Sequence, residues 1–135
     1  METTLNVIPC ELSEVLPFLV QVTRPKADTC AGLASVQDIC RNSQTYKVQD
    51  ANGSTVAAYA LEPYQHDRGI MLFVTAGAGA MPGIDLSLTM CNTVETQARL
   101  LGAKAIGLMT RRNGLIEKLK AQGWTVAGVK LVKKI

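Results

Sequence analysis

The sequence predicts one α/β domain spanning residues 1–135, with a mixed central sheet in the order β-α-α-β-β-β-α-β-α-β. Three observations carry that prediction. The chain has 135 residues, enough for one sizeable core. Stretches of two-residue alternation or unbroken apolar character are separated by stretches of helical period, the pattern of strands and helices layered on each other. No repeat, low-complexity segment or linker divides the chain. Hydrophobic content is 47% and charged content 19%, ordinary for a soluble globular protein, and with aromatics at only 4% the core must be filled by Leu, Ile, Val, Ala and Met.

The elements follow in order. "TLNVIPC" reads as the first strand. "LSEVLPFLVQV" has helical spacing at Leu12, Val15, Leu16 and Leu19, with Ser13 as the expected cap and Glu14 favourable in the first turn. "TRPKADTC" connects to a second helix, expected from Asp28 onward on the spacing of Leu33, Val36, Ile39 and Cys40. "TYKVQDANGSTVAAYALEPY" is a hairpin: Tyr46 and Val48 alternate with polar neighbours, Asn52-Gly53 is a favoured turn pair, and Val56 to Leu61 returns. After the turn "QHDRG", the apolar run "IMLFV" fits a strand buried on both faces. "VTAGAGAMPGID" is then a glycine-rich loop ending in Asp85, a good N-cap. The stripe Ile84, Leu88, Cys91, Val94, Ala98 and Leu101 makes the longest helix, and Gly102 ends it. "AKAIGLMT" is a strand. "NGLIEKLKAQGW" is a short helix with Leu115, Ile116 and Leu119 inward. "TVAGVKLVKKI" closes as a strand with alternating lysines.

Charge is unevenly distributed. From Lys104 onward eight Lys or Arg face the single acid Glu117, whereas the first 103 residues carry six basic and ten acidic side chains, within a net charge of +3. A basic C-terminal third can attract a phosphate-bearing ligand or an acidic surface; a solvated helix face and a lysine-protected edge strand explain it more simply. Its only aromatic is Trp124, which argues against a nucleic-acid platform. Four cysteines stand at 10, 30, 40 and 91 without a C-x-x-C pair, and with a single His they do not suggest a zinc site or any other metal. A reducing cytoplasm is the expected setting. The N-terminus lacks a basic n-region, and no apolar run approaches the roughly 20 residues that span a bilayer, so no membrane role is expected. His66 has only Asp67 beside it as an acid, a poor basis for a Ser-His-Asp site.

The element order resembles the GNAT acetyltransferase fold. The strongest local likeness is "LLGAKAIGLMTRRNGLIEKLKAQGW", which is similar to the family's helix, Gly-Ala-Lys turn, fifth strand, fourth helix and terminal Gly-aromatic pair, here Gly123-Trp124. The chain also resembles GNAT-like proteins carried by tailed phages, some of which are virion components. The GNAT resemblance implies an acetyl-CoA pyrophosphate bound by a [Q/R]-x-x-G-x-[G/A] segment at the N-terminus of the third helix. Counted back from Gly102-Ala103-Lys104, that motif falls on "AMPGID": Ala80 replaces the basic or amide residue, Pro82 lacks an N–H, Gly83 fits the first glycine and Asp85 replaces the second. A carboxylate about 4 Å from a pyrophosphate is repelled by roughly 4 kcal/mol at an effective dielectric near 20. A second register places the glycines at Gly77 and Gly79, with Val74 in place of Gln/Arg. The resemblance further implies a tyrosine proton donor where Leu119 stands, and a glutamate base on "IMLFV", which has none. Glu62 and His66, near the hairpin turn, are the substitutes, and a solvated role suits each as well.

Two function classes follow. In the first the chain is a non-catalytic interaction or structural module, a degenerate GNAT domain without a cofactor, with a protein partner or self-assembly as its business and a phage particle as one setting. In the second it is a divergent acetyl-CoA-dependent N-acetyltransferase using Gly77, Gly79 and Gly83, with a water-mediated or substrate-supplied base, Glu62 and His66 being the side-chain candidates. The departures at Ala80, Asp85 and Leu119 incline the sequence toward the first.

Overall fold

Residues Ala57–Leu61 are the most buried stretch of the chain and explain its layering. In the computed structural model, which describes residues 4–79 and 85–135, they lie in the middle of the central strand of a five-stranded sheet. Alternate side chains of a strand point to opposite faces. Ala57, Tyr59 and Leu61 join a cluster with Leu72, Leu86, Val94 and Ala98, while Ala58 and Ala60 join one with Val15, Leu19, Val36 and Ala76. The sheet is therefore covered on both faces. The alanines of "VAAYALEP" suit a strand on which both faces are packed closely.

The strands are β1 (Asn6–Cys10), β2 (Gln44–Gln49), β3 (Thr55–His66), β4 (Gly69–Gly79) and β5 (Ala105–Leu108), neighbouring one another in that order. The first three pairings are antiparallel, and β4 with β5 is parallel. Helix α1 (Leu12–Leu19) packs on one face and α3 (Leu86–Leu101) on the other, with α4 (Asn113–Ala121) beside α3. The β2–β3 turn forms as expected: Asp50 Oδ1 accepts from the N–H groups of Asn52 and Ser54, and Gly53 takes φ +81°. Gly102 ends α3 at φ +81°, with the N–H of Ala103 donating to the carbonyl of Ala98.

Five expectations need correction. The cap of α1 is Glu11 rather than Ser13, since the backbone N–H of Glu11 donates to Glu14 Oε2 at 2.9 Å in a capping-box arrangement. The second helix is one turn only, α2 (Val36–Ile39), capped by Ser35. The Asp28 carboxylate accepts from the N–H groups of Cys30 and Gly32, and Ala31 and Gly32 both take positive φ, so helix cannot propagate from Asp28 and Leu33 is left 87% exposed. Within "IMLFV", only Leu72 is fully buried; its neighbours are half-buried. Leu101 turns outward at the end of α3. Residues 125–135 form no strand: their alternation is real, but a strand needs a ladder partner, and Val129, Leu131 and Ile135 stand exposed.

A further difference concerns the glycine-rich stretch. Val74 to Gly79 is not a loop but the second half of β4, paired with β3 from Ala57↔Gly79 to Leu61↔Val74. Residues 80–84, including Ala80, Pro82 and Gly83 of the first motif register, lie outside the described residues.

Candidate functional site

The site arises from a mismatch in strand length. β5 pairs with β4 only from Met71↔Ala105 to Val74↔Leu108. Beyond Val74, β4 continues for five residues with β3 on one side and, among the described residues, no strand on the other. Thr75 marks the divergence. It is skipped in the β3–β4 register, where Ala60 faces Ala76 and Leu61 faces Val74. This bulge inverts the inward–outward alternation, so that Leu72 and Val74 face α3 before it and Gly77 and Gly79 do so after it. The Thr75 hydroxyl donates to the Ala60 carbonyl at 3.3 Å and lies 2.7 Å from the Ser43 hydroxyl, which fixes the bulge to its surroundings.

Where the strands part, a cavity of about 410 Å³ opens between Thr75–Gly79 and Leu108–Arg112. It passes through the sheet. On the α3 side it is walled by Tyr59, Leu86, Ser87, Met90, Cys91 and Val94, and on the α1 side by Val22, Ala27, Ile39, Tyr64 and Phe73. The Tyr59 hydroxyl donates to Gln97 Oε1 at 2.8 Å, and burial pushes this phenol far above its ordinary range, so it is a fixed wall rather than a proton carrier. Cys91 is half-buried with its thiol pushed up, first by burial and then by Asp85. That makes it a poor nucleophile.

The two strand glycines differ. A Cβ at Gly77 would meet nothing closer than 3.8 Å, so its backbone is open to the slot. A Cβ at Gly79 would overlap the Cβ of Ala57 and stand 2.7 Å from Val56 O and Ala57 Cα, so glycine is required there for strand contact.

Asp85 caps α3 as expected, accepting from the N–H of Leu88 at 3.3 Å. The sequence did not disclose its second partner: Lys118 Nζ of α4 donates to Oδ2 at 2.7 Å. That hydrogen bond leads the causes that hold the Asp85 carboxyl below its usual range. The charge feared at the helix N-terminus is thus countered by an ammonium group. Its folded pKa being depressed, the stabilisation from Asp85 is present above the ordinary carboxylate range and is lost as pH falls through the folded value. Asp85→Ala is expected to lower the urea midpoint at neutral pH with an unchanged slope. Asp85→Asn, which keeps a capping oxygen and loses the bridge, is expected to lower it less, and both differences from wild type shrink at acid pH.

Arg111 donates through Nη1 to the carbonyls of Pro25 at 2.8 Å and Asp28 at 3.1 Å, tying the loop before α2 to the end of β5. Arg112 and Lys130 also line the slot. Glu62 lies opposite Phe73 on β3, on the face that carries Tyr64. His66 is exposed at the β3–β4 turn, and neither Glu62 nor His66 lines the slot. Leu119 is buried on α4, so α4 offers no proton donor at that position. Among the described residues no cluster of His, Cys, Asp or Glu could hold a metal ion, and no helix is long and apolar enough to cross a membrane.

No protein-family model matches the sequence and no curated protein matches it, but solved structures match its fold. A glucosamine-6-phosphate N-acetyltransferase from Arabidopsis thaliana superposes with a TM-score of 0.65 at 10% identity, covering 97% of this chain and 98% of its own. An acetyltransferase from Trypanosoma brucei gives 0.66 at 13% identity, covering 98% and 100%. An aminoglycoside N-acetyltransferase solved in complex with CoA gives 0.62 at 11% identity, covering 99% and 97%. The chain has the GNAT fold. At these identities the likeness is one of architecture, and what a GNAT-fold chain does depends on its site.

Proposed function

We propose that this GNAT-fold chain binds an acyl-CoA in the slot between β4 and β5 and presents it to an amine. One observation carries the reading: β4 runs past the end of β5 as a strand edge unpaired among the described residues, above a cavity. Peptide N–H and C=O groups on such an edge need partners. An extended arm bearing amides, such as pantetheine, can add to it as a strand would. The 410 Å³ cavity lies in the size range of small-molecule sites and is largely apolar. Gly77 leaves room for the arm to approach the backbone. Arg112 and Lys130 supply positive charge at the slot, and Lys118 offsets Asp85 near the N-terminus of α3, where a pyrophosphate would gain from the helix dipole.

Bound there, an acyl-CoA supplies a thioester that an amine converts to an amide and a free thiol. The chain's own residues position the reactants and exclude water. Thr75 and the strand edge set the depth of the arm, and, with no acid among the described residues that line the slot, the ammonium proton passes to water. With Leu119 in the core, the thiolate takes its proton from the amine or from water. The non-catalytic reading draws on that same absence of a donor, and turnover separates the two. A virion role has no support in the fold or in the structures it resembles.

The test is ligand-induced stabilisation. A ligand at about a hundred times its Kd adds roughly 2.7 kcal/mol to native stability. Saturating acetyl-CoA is expected to raise the melting temperature, CoA alone to reproduce most of the rise, and Gly77→Val to remove it while leaving the unliganded melting point close to wild type. An absent shift in the wild-type protein would overturn the reading.

A further inference from the structure

The geometry points to a donor whose acyl group is longer than acetyl: a neutral chain of several carbons, housed in the apolar chamber that the slot opens on the α1 side of the sheet. The inference rests on the acyl-CoA reading and names the acyl class that this site selects. The direction of the arm follows from the fold. The cavity passes through the sheet, and the N-terminus of α3, which suits a pyrophosphate, lies on one face. An arm that enters there and follows the edge of β4 delivers its acyl end to the opposite face, the one that α1 covers.

The surface it meets is hydrocarbon. Val22 follows α1, Ala27 lies in the loop before α2, Ile39 belongs to α2, Tyr64 to β3 and Phe73 to β4, and all of them line the slot. Tyr64 is 36% exposed and the other four are half-buried, so the packing of the α1 layer leaves apolar surface open. The Phe73 ring is held where the strands part. It lies over Gly107 of β5, where a Cβ would come within 3.2 Å of the ring, and its centroid is 5.3 Å from that of Tyr64. An acetyl methyl makes contact only within about 4.5 Å and leaves most of such a wall wet. Each further methylene that is fully buried contributes about fourfold in affinity.

Charge selects against the other occupants. Among the described residues the lining holds no carboxylate, and its charged members Arg111, Arg112 and Lys130 are all cations. An ammonium group would meet like charges without a partner. A carboxylated acyl group would lose water against apolar walls. The Arg111 guanidinium is bonded to the carbonyls of Pro25 and Asp28, and its charge is balanced by the Asp28 carboxylate, whose pKa it helps to lower. The Thr75 hydroxyl is engaged with Ala60 and Ser43. A neutral chain requires none of these groups.

Acetyl-, butyryl-, hexanoyl- and succinyl-CoA serve as probes, with binding read by calorimetry. The Kd of hexanoyl-CoA is expected to lie about tenfold or more below that of acetyl-CoA, with butyryl-CoA between them and succinyl-CoA no tighter than acetyl-CoA. Ala27→Trp, which puts bulk into the chamber from a loop, is expected to bring the hexanoyl-to-acetyl ratio close to one. Tyr64→Thr, at an exposed strand position that threonine suits, is expected to reduce it in part and serves even where the tryptophan variant fails to fold. Equal Kd values for acetyl- and hexanoyl-CoA, a preference for succinyl-CoA, or a hexanoyl preference untouched by both substitutions would overturn the assignment and leave the acyl-CoA reading in place. So would phenethylamine binding to the acetyl-CoA complex and losing that affinity in Ala27→Trp, which would give the chamber to an acceptor. If no CoA ester binds, the acyl-CoA reading falls and this assignment with it.

Discussion

Leu119→Ala is expected to cost about 2–5 kcal/mol of folding stability, the range for truncating a buried leucine and leaving part of a cavity behind. Leu119 is 4% exposed and is the one buried residue of α4. Its backbone carbonyl also accepts from the N–H groups of Gln122 and Trp124, which close the helix before Gly123 turns the chain at φ +92°. The side chain thus anchors α4 against α3, and with it the Lys118 ammonium that reaches Asp85. The loss should appear as a lower urea midpoint with an unchanged slope. Leu119→Met, which nearly conserves volume, should cost less than about 1.5 kcal/mol. A near-neutral Leu119→Ala would mean that α4 is held by something other than this residue. The result also bears on chemistry: a residue that fills the core cannot be exchanged for a tyrosine donor without repacking, so the missing proton donor is part of how this chain folds.

The order of the main elements was legible because their signals are local. Asn52-Gly53 marks its turn by the positive φ it allows, Asp85 and Gly102 bound α3 as cap and terminator, and Leu115, Ile116 and Leu119 place the inner face of α4. The failures share a cause too. Leu33, Val36, Ile39 and Cys40 satisfy a helical period, but Asp28 gives the backbone a competing set of hydrogen bonds. The lysine-spaced tail satisfies a strand period, but no period states whether a partner strand is present. Alternation and helical spacing report which side of an element is apolar; they do not report whether the element forms.

The site was less legible than the fold. "VTAGAG" reads as a loop because small residues are poor strand formers, yet pairing with β3 carries it to Gly79 as strand. The bulge at Thr75 has no sequence signature of its own, and without it the divergence of β4 from β5 cannot be foreseen. The Asp85–Lys118 contact joins residues 33 apart in sequence, and its effect is to soften the strongest electrostatic argument against a bound pyrophosphate. Glu62 was identifiable as an acid near the site, but its neighbours Tyr64 and Phe73 were not, because that pairing is a matter of register.

Gly79→Ala is expected to destabilise the fold by about 1–3 kcal/mol, as overpacking does. The added methyl would meet the Cβ of Ala57 directly opposite, with Val56 O and Ala57 Cα both 2.7 Å away. All three atoms are backbone or bonded directly to it, so relief requires the end of β4 to move away from β3. That movement would pull on the strand edge that lines the slot. Gly79→Ala should therefore lower both the urea midpoint and the acetyl-CoA-induced rise in melting temperature, whereas Gly77→Val should remove only the second. Two glycines two residues apart, read from sequence as one phosphate-binding motif, would then separate into a packing requirement and an access requirement. Should Gly79→Ala leave stability at the wild-type value while abolishing ligand stabilisation, the close contact with Ala57 is relieved in solution, and Gly79 belongs with Gly77 as part of the cradle.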